Sequence, residues 1–301
     1  MEGVFEKIAQ ETTSFNLGDE DIWRCLYEGH YAEPPETVSV VKDVRYGPAE
    51  RNRLDVFFPT NDNTKWTKKS KPVLIFVHGG GFFSGDKGWS EKCWANVGYF
   101  FAQHGIVVVT ANHQLVPHVQ YPGGADDMQK VREWIYHNIA SEKYGAGSVD
   151  KVVLLGHSSG GAHIAMNLYA AGDPSRVPKQ ELFPPVAGVI YLSVPFWYDR
   201  RKPIRQRVIR QYYGSDAEDV WGPISALGLF ENLPDDSILF FHRDSDKVPV
   251  YLGSVKWEVQ ETADATTAFF NAYRKRSKPA GTLPLLDILD KHNHLRRYSS
   301  G

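Results

Sequence analysis

Six short, almost uninterrupted apolar runs constrain the fold of this chain more than any other feature of its sequence. They lie at residues 73–77, 106–109, 152–155, 186–192, 238–241 and 283–289, and each has the length of a β-strand. Such runs are typical of strands that are buried on both faces of a sheet. Helical patterns occupy residues 91–104, 125–139, 161–171 and 259–276. This alternation predicts an α/β fold with a mostly parallel central sheet and helices on both of its faces.

Further segments flank this pattern. Residues 38–41 and 53–58 have strand patterns separated by a turn, and they predict an antiparallel opening of the sheet. Residues 195–233 are longer than a strand-to-helix connection needs, and we interpret them as an insertion over the carboxyl edge of the sheet. Together with residues 1–36, this insertion would form a cap on a single domain that spans residues 1–301.

Composition excludes several classes of function. The 34 basic and 36 acidic side chains leave a formal charge of −2, so no global field favours nucleic acid or anionic lipid. No apolar run approaches the roughly 18 residues of a membrane-spanning helix, and the N-terminal residues lack the pattern of a secretory signal. We therefore expect a cytoplasmic protein with no nucleic-acid or membrane partner. The 2 cysteines have no zinc-type spacing, so we expect no metal site.

The pentapeptide Gly156-His157-Ser158-Ser159-Gly160 lies between a predicted strand and a predicted helix. A serine on a tight turn between such elements projects its Oγ above the sheet, and flanking glycines avoid collisions within the turn. Ser158 is therefore the candidate nucleophile. The next amide, the N–H of Ser159, would point toward an oxygen atom bound beside Ser158.

A second motif, His78-Gly79-Gly80-Gly81-Phe82, directly follows the apolar run at residues 73–77. Its glycines let backbone N–H groups approach a ligand oxygen without interference from a Cβ atom. A phosphate cradle is the alternative, but the segment lacks the glycine and lysine patterns of nucleotide-binding loops. The two motifs together favour an oxyanion hole beside a nucleophilic serine. We expect His78 to brace this loop rather than to transfer protons.

These motifs resemble those of the α/β-hydrolase superfamily, in particular its hormone-sensitive-lipase-like carboxylesterases and kynurenine-formamidase-like hydrolases, over about residues 38–295. The resemblance implies that the amides of Gly80, Gly81 and Ser159 form the oxyanion hole. It also implies a triad in the order serine, acid, histidine, a small-molecule substrate and no cofactor. Hydrolysis of a carboxylic ester is the expected activity. Hydrolysis of an amide or formamide is the alternative, and a catalytically silent binding protein is the third possibility.

The order of the triad places its acid and its base after the nucleophile. Asp246 follows the predicted strand at residues 238–241 and resembles the family's acidic position, with Asp244 as its competitor. For the base, His294 resembles the family's histidine, which follows an asparagine and precedes an apolar residue; His292 competes with it. The triad predicted from the sequence is Ser158, Asp246 and His294.

Aromatic side chains near these segments are candidates for the wall of a substrate pocket. Phe82 ends the glycine-rich motif, and Phe196 and Trp197 begin the insertion. Their large, rigid surfaces suit an apolar or aromatic group of the substrate. Ordinary packing in the core is the competing interpretation for such residues. The sequence thus predicts that the insertion, rather than the triad, sets substrate choice.

Overall fold

The computed structural model describes residues 3, 6, 10, 20–60, 71–176, 182–199, 201, 203–240 and 248–294. Within these ranges eight strands form one sheet. The strands are β1 (Val38–Arg45), β2 (Arg53–Pro59), β3 (Lys71–Val77), β4 (Val107–Ala111), β5 (Gly147–His157), β6 (Gly188–Leu192), β7 (Val250–Trp257) and β8 (Leu285–Asn293). Five of them, β3 to β6 and β8, coincide with an apolar run of the sequence. β3 to β6 are largely buried, as such runs predict. The apolar run in β8 is not buried: Leu285, Leu286 and Ile288 are exposed.

The strands are arranged in the order β1-β2-β4-β3-β5-β6-β7-β8. β2 pairs antiparallel with β1 and β4, whereas all other neighbouring strands are parallel. The predicted antiparallel opening and the mostly parallel sheet are both confirmed. Val77 of β3 pairs with Gly156 of β5, so the loops that follow these two strands begin side by side at the carboxyl edge.

The helices cover both faces of this sheet. Those with described bounds are α1 (Glu20–Glu28), α2 (Ala95–Gln103), α3 (Gly123–Asn138), α4 (Ser159–Leu168), α5 (Pro203–Tyr213), α6 (Glu218–Trp221), α7 (Ala226–Glu231) and α8 (Gln260–Arg276). In the described ranges, no helix combines the length and the apolar character needed to cross a membrane.

Alternating side chains of β3 separate two apolar layers. Val73, Ile75 and Val77 belong to a large buried cluster with side chains of α3, α4 and α8. Leu74 and Phe76 belong to a second cluster with side chains of α1 and α2. Because successive side chains of a strand point to opposite faces, these clusters lie on the two sides of the sheet.

One predicted strand is wrong, and its correction changes the site. The apolar run at residues 238–241 does not form a strand: Ile238–Phe240 is a single 3₁₀ turn, and Phe241 lies outside the described residues. The strand between β6 and β8 is β7, whose sequence includes Gly253 and Ser254. In this turn Phe240 is buried and Leu239 packs against the core, whereas Ile238 is exposed. This strand of the sheet therefore ends at Trp257 rather than near residue 241.

The proposed cap residues pack in two different places. Residues 195–233 contain α5, α6 and α7. The Tyr212 ring of α5 lies 5.1 Å from the ring of Phe82, and the Tyr212 carbonyl accepts a hydrogen bond from the N–H of Tyr121. The described part of residues 1–36 contains α1, which packs in the apolar layer of α2. The insertion thus approaches the glycine-rich motif, while its function as a cap stays a prediction.

Candidate active site

Ser158 lies in a sharp turn at the carboxyl end of β5. Its φ of 51° and ψ of −128° are rare for a residue with a side chain, and α4 begins at the next residue. Such a turn projects a serine above the edge of the sheet. At Gly160 a Cβ atom would lie 2.4 Å from the carbonyl oxygen of Val77, so only glycine fits beside the end of β3. Close packing between the two strand ends therefore holds the strained serine in place.

His294 approaches Ser158 from the end of β8. Its Nε2 lies 3.0 Å from the Ser158 Oγ, a distance suited to proton transfer from the hydroxyl. His292 is still part of β8, whereas His294 follows the last residue of that strand. Of the two histidines that the sequence left open, the structure therefore brings His294 to the serine.

A glutamate takes the position expected of the orienting acid. Glu258 directly follows β7, and its Oε1 lies 2.7 Å from the Nδ1 of His294. Asp246 and its competitor Asp244 both lie outside the described residues. Because the Nδ1 of an imidazole carries one proton, one close carboxylate satisfies it. Glu258 is therefore the candidate acid among the described residues, while Asp246 stays a prediction, which followed from the misplaced strand at residues 238–241.

The surroundings of Glu258 keep its carboxylate ionised. Burial raises the pKa of this carboxyl, but the electrostatic interaction with His294 and hydrogen bonds from His294, Ser193 and the Val259 N–H together lower it below the ordinary value of 4.5. The Ser254 hydroxyl also donates to Oε2, over 3.3 Å. An ionised carboxylate at Nδ1 selects the tautomer in which Nε2 is free to accept the serine proton.

The glycine-rich segment after β3 lies against the turn of the nucleophile. A Cβ atom at Gly79 would lie 2.8 Å from the Ser158 Cβ, so the two loops are in contact. Gly80 and Gly81 have φ values of 139° and 62°, which favour glycine because it lacks a Cβ atom. The Ser159 amide is the first of α4 and has no acceptor within its own helix. These three amides, of Gly80, Gly81 and Ser159, therefore stay candidates for an oxyanion hole.

His78 contacts the start of this loop from inside the protein. Its side chain is fully buried, and Nδ1 donates a hydrogen bond to the Gly79 carbonyl over 2.7 Å. Burial, reinforced by the neighbouring His113, lowers the pKa of His78 well below the ordinary value of 6.5, so the ring is neutral at physiological pH. A neutral, enclosed imidazole supports the expectation that His78 positions the loop instead of transferring protons.

The arrangement as a whole offers a nucleophile, a base and an acid joined by hydrogen bonds. The imidazole of His294 can withdraw the proton of the Ser158 hydroxyl while Glu258 stabilises the positive charge that results. Among the described residues, no group of three or more His, Cys, Asp or Glu side chains could hold a metal ion. The chemistry that these side chains support is acyl transfer through the serine.

Two of the aromatic residues predicted to line a substrate pocket are enclosed by protein. Phe82 is 2% exposed, and its ring lies 4.8 Å from that of His163. Phe196 is 1% exposed and stacks on Phe269 of α8, with ring centroids 4.0 Å apart and planes inclined by 8°. Helix and sheet side chains cover the ring of Phe196, which favours the packing interpretation, and its role in a substrate pocket stays a prediction. Phe82 stays a candidate through its position next to Gly81.

Trp197 lies at a cavity of its own. It is half-buried, and its ring packs 4.7 Å from that of Trp221. The cavity has a volume of about 220 Å³ and is also lined by α8 residues, including Glu261. Neither the candidate nucleophile nor the candidate base lines this cavity. The role of Trp197 in substrate choice therefore stays a prediction.

Replacing Phe196 with alanine is expected to lower the free energy of unfolding by about 3–5 kcal/mol, because it removes an enclosed aromatic ring and leaves a void. Denaturant unfolding of the wild type and the variant at neutral pH measures the difference. Phe196→Leu, which keeps most of the volume, should lose less. An alanine variant with unchanged stability and an altered preference among substrates would instead support the pocket interpretation.

One family model and several curated proteins match part of this sequence. The family model described as BD-FAE matches residues 54–176. A probable isoprenylcysteine alpha-carbonyl methylesterase of Oryza sativa subsp. japonica is 37% identical over 126 residues, which cover 42% of this chain and 27% of that protein. Probable carboxylesterase 13 of Arabidopsis thaliana is 26% identical over 175 residues, which cover 54% of this chain and 51% of that protein. The chain thus matches about a quarter to a half of the length of these relatives.

Solved structures share the fold over almost the whole chain. Esterase B from Lactobacillus rhamnosis (HN001) has a TM-score of 0.66 at 17% identity, with 96% of this chain and 85% of that chain covered. An esterase from Pyrobaculum calidifontis has a TM-score of 0.64 at 16% identity, with 97% of this chain and 89% of that chain covered. At such identities the likeness establishes the fold.

Proposed function

We propose that this chain is a member of the α/β-hydrolase superfamily and a serine esterase that cleaves a carboxylic ester of a small molecule through an acyl-enzyme intermediate. The observation that carries the proposal is the line of hydrogen bonds from the Ser158 Oγ through His294 to Glu258. The relatives that are named as a methylesterase and a carboxylesterase support an ester as the substrate. An apolar or aromatic group on that ester agrees with the aromatic side chains near the glycine-rich loop.

Acylation begins when the Ser158 Oγ attacks the carbonyl carbon of the ester and its proton passes to the His294 Nε2. The negative charge that forms on the carbonyl oxygen is stabilised by the amides of the glycine-rich loop and of the first residue of α4. Glu258 stabilises the imidazolium through Nδ1. When the intermediate collapses, the bond to the alcohol breaks, the alcohol takes the proton from His294, and the acyl group stays on Ser158.

Deacylation repeats these steps with water. A water molecule gives a proton to His294 and attacks the acyl carbon, after which the carboxylic acid leaves and the proton returns to the Ser158 oxygen. The two half-reactions therefore use the same nucleophile, base and oxyanion site. An amide or formamide would pass through the same steps, and no contact among the described residues favours it over an ester.

Labelling with a fluorophosphonate, followed by peptide mass spectrometry, tests the nucleophile. We expect the wild-type protein to be modified at Ser158, because an activated serine attacks the phosphorus atom. Hydrolysis of p-nitrophenyl esters of increasing acyl length, measured beside N-formylkynurenine, then tests the substrate class, and we expect turnover of at least one ester. If N-formylkynurenine is hydrolysed and none of the esters is, the protein is a formamide hydrolase rather than an esterase. A well-folded protein that shows neither labelling nor turnover would be a binding protein.

A further inference from the structure

Two side chains from distant parts of the sequence hold the backbone that carries the candidate base. The Nε2 of His157 donates a hydrogen bond to the carbonyl of His294, over 2.7 Å. The hydroxyl of Tyr27 donates to the Oδ1 of Asn293, over 3.1 Å. We propose that Tyr27 and His157 are positioning residues, which fix the backbone of residues 293–294 so that the imidazole stays aligned between the nucleophile and the acid. This inference rests on the proposed function.

The contact between Tyr27 and Asn293 is enclosed by protein. Tyr27 is 3% exposed and Asn293 is 0% exposed. Burial raises the pKa of Tyr27, so the hydroxyl keeps its proton and stays a donor. When a buried polar atom loses its hydrogen-bond partner, no water molecule takes the partner's place. Separation of the Asn293 Oδ1 from the Tyr27 hydroxyl would therefore cost free energy, and this cost holds the Asn293 side chain in position. The last residue of β8 is thereby fixed immediately before the base.

The helix that presents Tyr27 is anchored away from the reacting atoms. The ring of Trp23 lies 6.3 Å from that of Tyr27, and both belong to the apolar layer that includes Phe76 and Trp94. A side chain on a packed helix holds its partner with less freedom than one on a loop. Tyr27 and Asn293 are 266 residues apart in the sequence, so only the tertiary fold brings α1 to the base.

His157 links the base to the nucleophile. It is the last residue of β5, directly precedes Ser158 and is 2% exposed. Its ring lies 5.1 Å from that of His294 and 5.3 Å from that of Trp94. Since a carbonyl oxygen only accepts hydrogen bonds, the Nε2 of His157 carries a proton. The strand that ends at the nucleophile therefore also holds the backbone of the base, which couples the positions of the two side chains.

Loss of the Tyr27 hydroxyl is expected to change the rate more than the binding of substrate. The hydrogen bonds to Ser158 and Glu258 fix the imidazole only through its two nitrogen atoms, so a backbone that shifts behind them lengthens both contacts. A misplacement of about 1 Å can cost about 100-fold in rate. Tyr27→Phe loses the hydrogen bond to Asn293 but keeps that of His157 to the His294 carbonyl. For this variant we expect kcat to fall about tenfold while KM stays within twofold.

A matched tyrosine provides the control. The Tyr251 hydroxyl also donates to a side chain of β8, the Oδ2 of Asp287, over 3.1 Å, but it does so at an exposed position earlier on that strand. Tyr251→Phe should therefore keep the wild-type kcat. In the double variant with Asn293→Ala, Tyr27→Phe should add no further loss to that of Asn293→Ala alone, because both changes remove the same bond. Thermal unfolding of every variant shows whether the fold is retained.

If Tyr27→Phe destabilises the protein, two variants of His157 provide a second test. His157→Gln keeps a side-chain N–H group that can reach the carbonyl of His294, whereas His157→Ala has none. We expect the glutamine to restore part of the kcat that the alanine loses. Equal kcat values for the two variants would overturn the role of His157 as a positioning residue.

A proton resonance of His294 tests positioning without a substrate. The Nδ1 proton that is shared with Glu258 is expected at low field, shifted or broadened in Tyr27→Phe and unchanged in Tyr251→Phe. If the wild type hydrolyses no ester, the proposed function fails, while this resonance still measures the alignment of the base. The inference is overturned if Tyr27→Phe leaves both the resonance and, in an active enzyme, kcat within twofold of the wild type, or if the two tyrosine variants behave alike.

Discussion

The Ser158→Ala variant is expected to fold like the wild type and to hydrolyse esters about 10⁴-fold or more slowly. The substitution removes the Oγ atom, which lies 3.0 Å from the His294 Nε2, and with it the acyl-enzyme route. Alanine keeps the Cβ atom, so the backbone of the turn meets the same neighbours as before. The activity that remains would come from the oxyanion hole and from substrate binding. Steady-state turnover and thermal unfolding of the purified variant measure both expectations.

A serine at the opposite end of β5 serves as the control for this prediction. Ser148 accepts a long hydrogen bond of 3.4 Å from the Asp150 N–H and lies at the amino end of the strand. Ser148→Ala should keep wild-type turnover and fluorophosphonate labelling. Retention of more than a tenth of the wild-type turnover in Ser158→Ala, or an equal loss in both variants, would reject Ser158 as the nucleophile.

The central strands could be predicted because burial on both faces selects one kind of sequence. β3 and β4 are nearly continuous apolar runs, and their side chains fill both layers of the protein. β7 departs from this pattern at Gly253 and Ser254. The Ser254 hydroxyl donates to Glu258, and the Gly253 carbonyl accepts from the N–H of Ser193. The strand that the apolar pattern missed is thus one whose polar and small residues support the site, where local rules are expected to fail.

The candidate site was predictable to the extent that its parts are local in the sequence. The turn of Ser158 and the glycine-rich loop each occupy one short motif after one strand. Glu258 has no such motif, since it is identified by following β7 and by its contact with a histidine 36 residues away. Because the apolar pattern predicts this strand at residues 238–241, it directs the search for the acid to Asp246. Likewise, the enclosure of Phe196 depends on Phe269 of α8, which no pattern near residue 196 reveals.

Replacing Glu258 with glutamine is expected to lower kcat about 10³- to 10⁴-fold with little change in KM. The amide has nearly the same shape but no charge, so the imidazolium that forms during acylation loses its counter-ion. An amide N–H₂ directed at Nδ1 would also favour the wrong tautomer of His294, in which Nε2 carries the proton and cannot accept that of Ser158. Asp246→Asn, which tests the acid predicted from the sequence, should retain wild-type turnover.

The pH dependence of stability tests whether Glu258 is ionised in the folded protein. The pKa of Glu258 is lowered in the folded protein, so its ionised carboxylate stabilises the fold above the ordinary value of 4.5, and this contribution is lost as the pH falls through the lowered pKa. The difference in free energy of unfolding between the wild type and Glu258→Gln should therefore be constant near neutral pH and shrink in acid.

A large loss of turnover in Asp246→Asn, with Glu258→Gln fully active, would assign the orienting role to Asp246. If Glu258→Gln is slow and Asp246→Asn is not, the acid of this triad follows β7, where the Glu258 carboxylate lies 2.7 Å from the Nδ1 of His294.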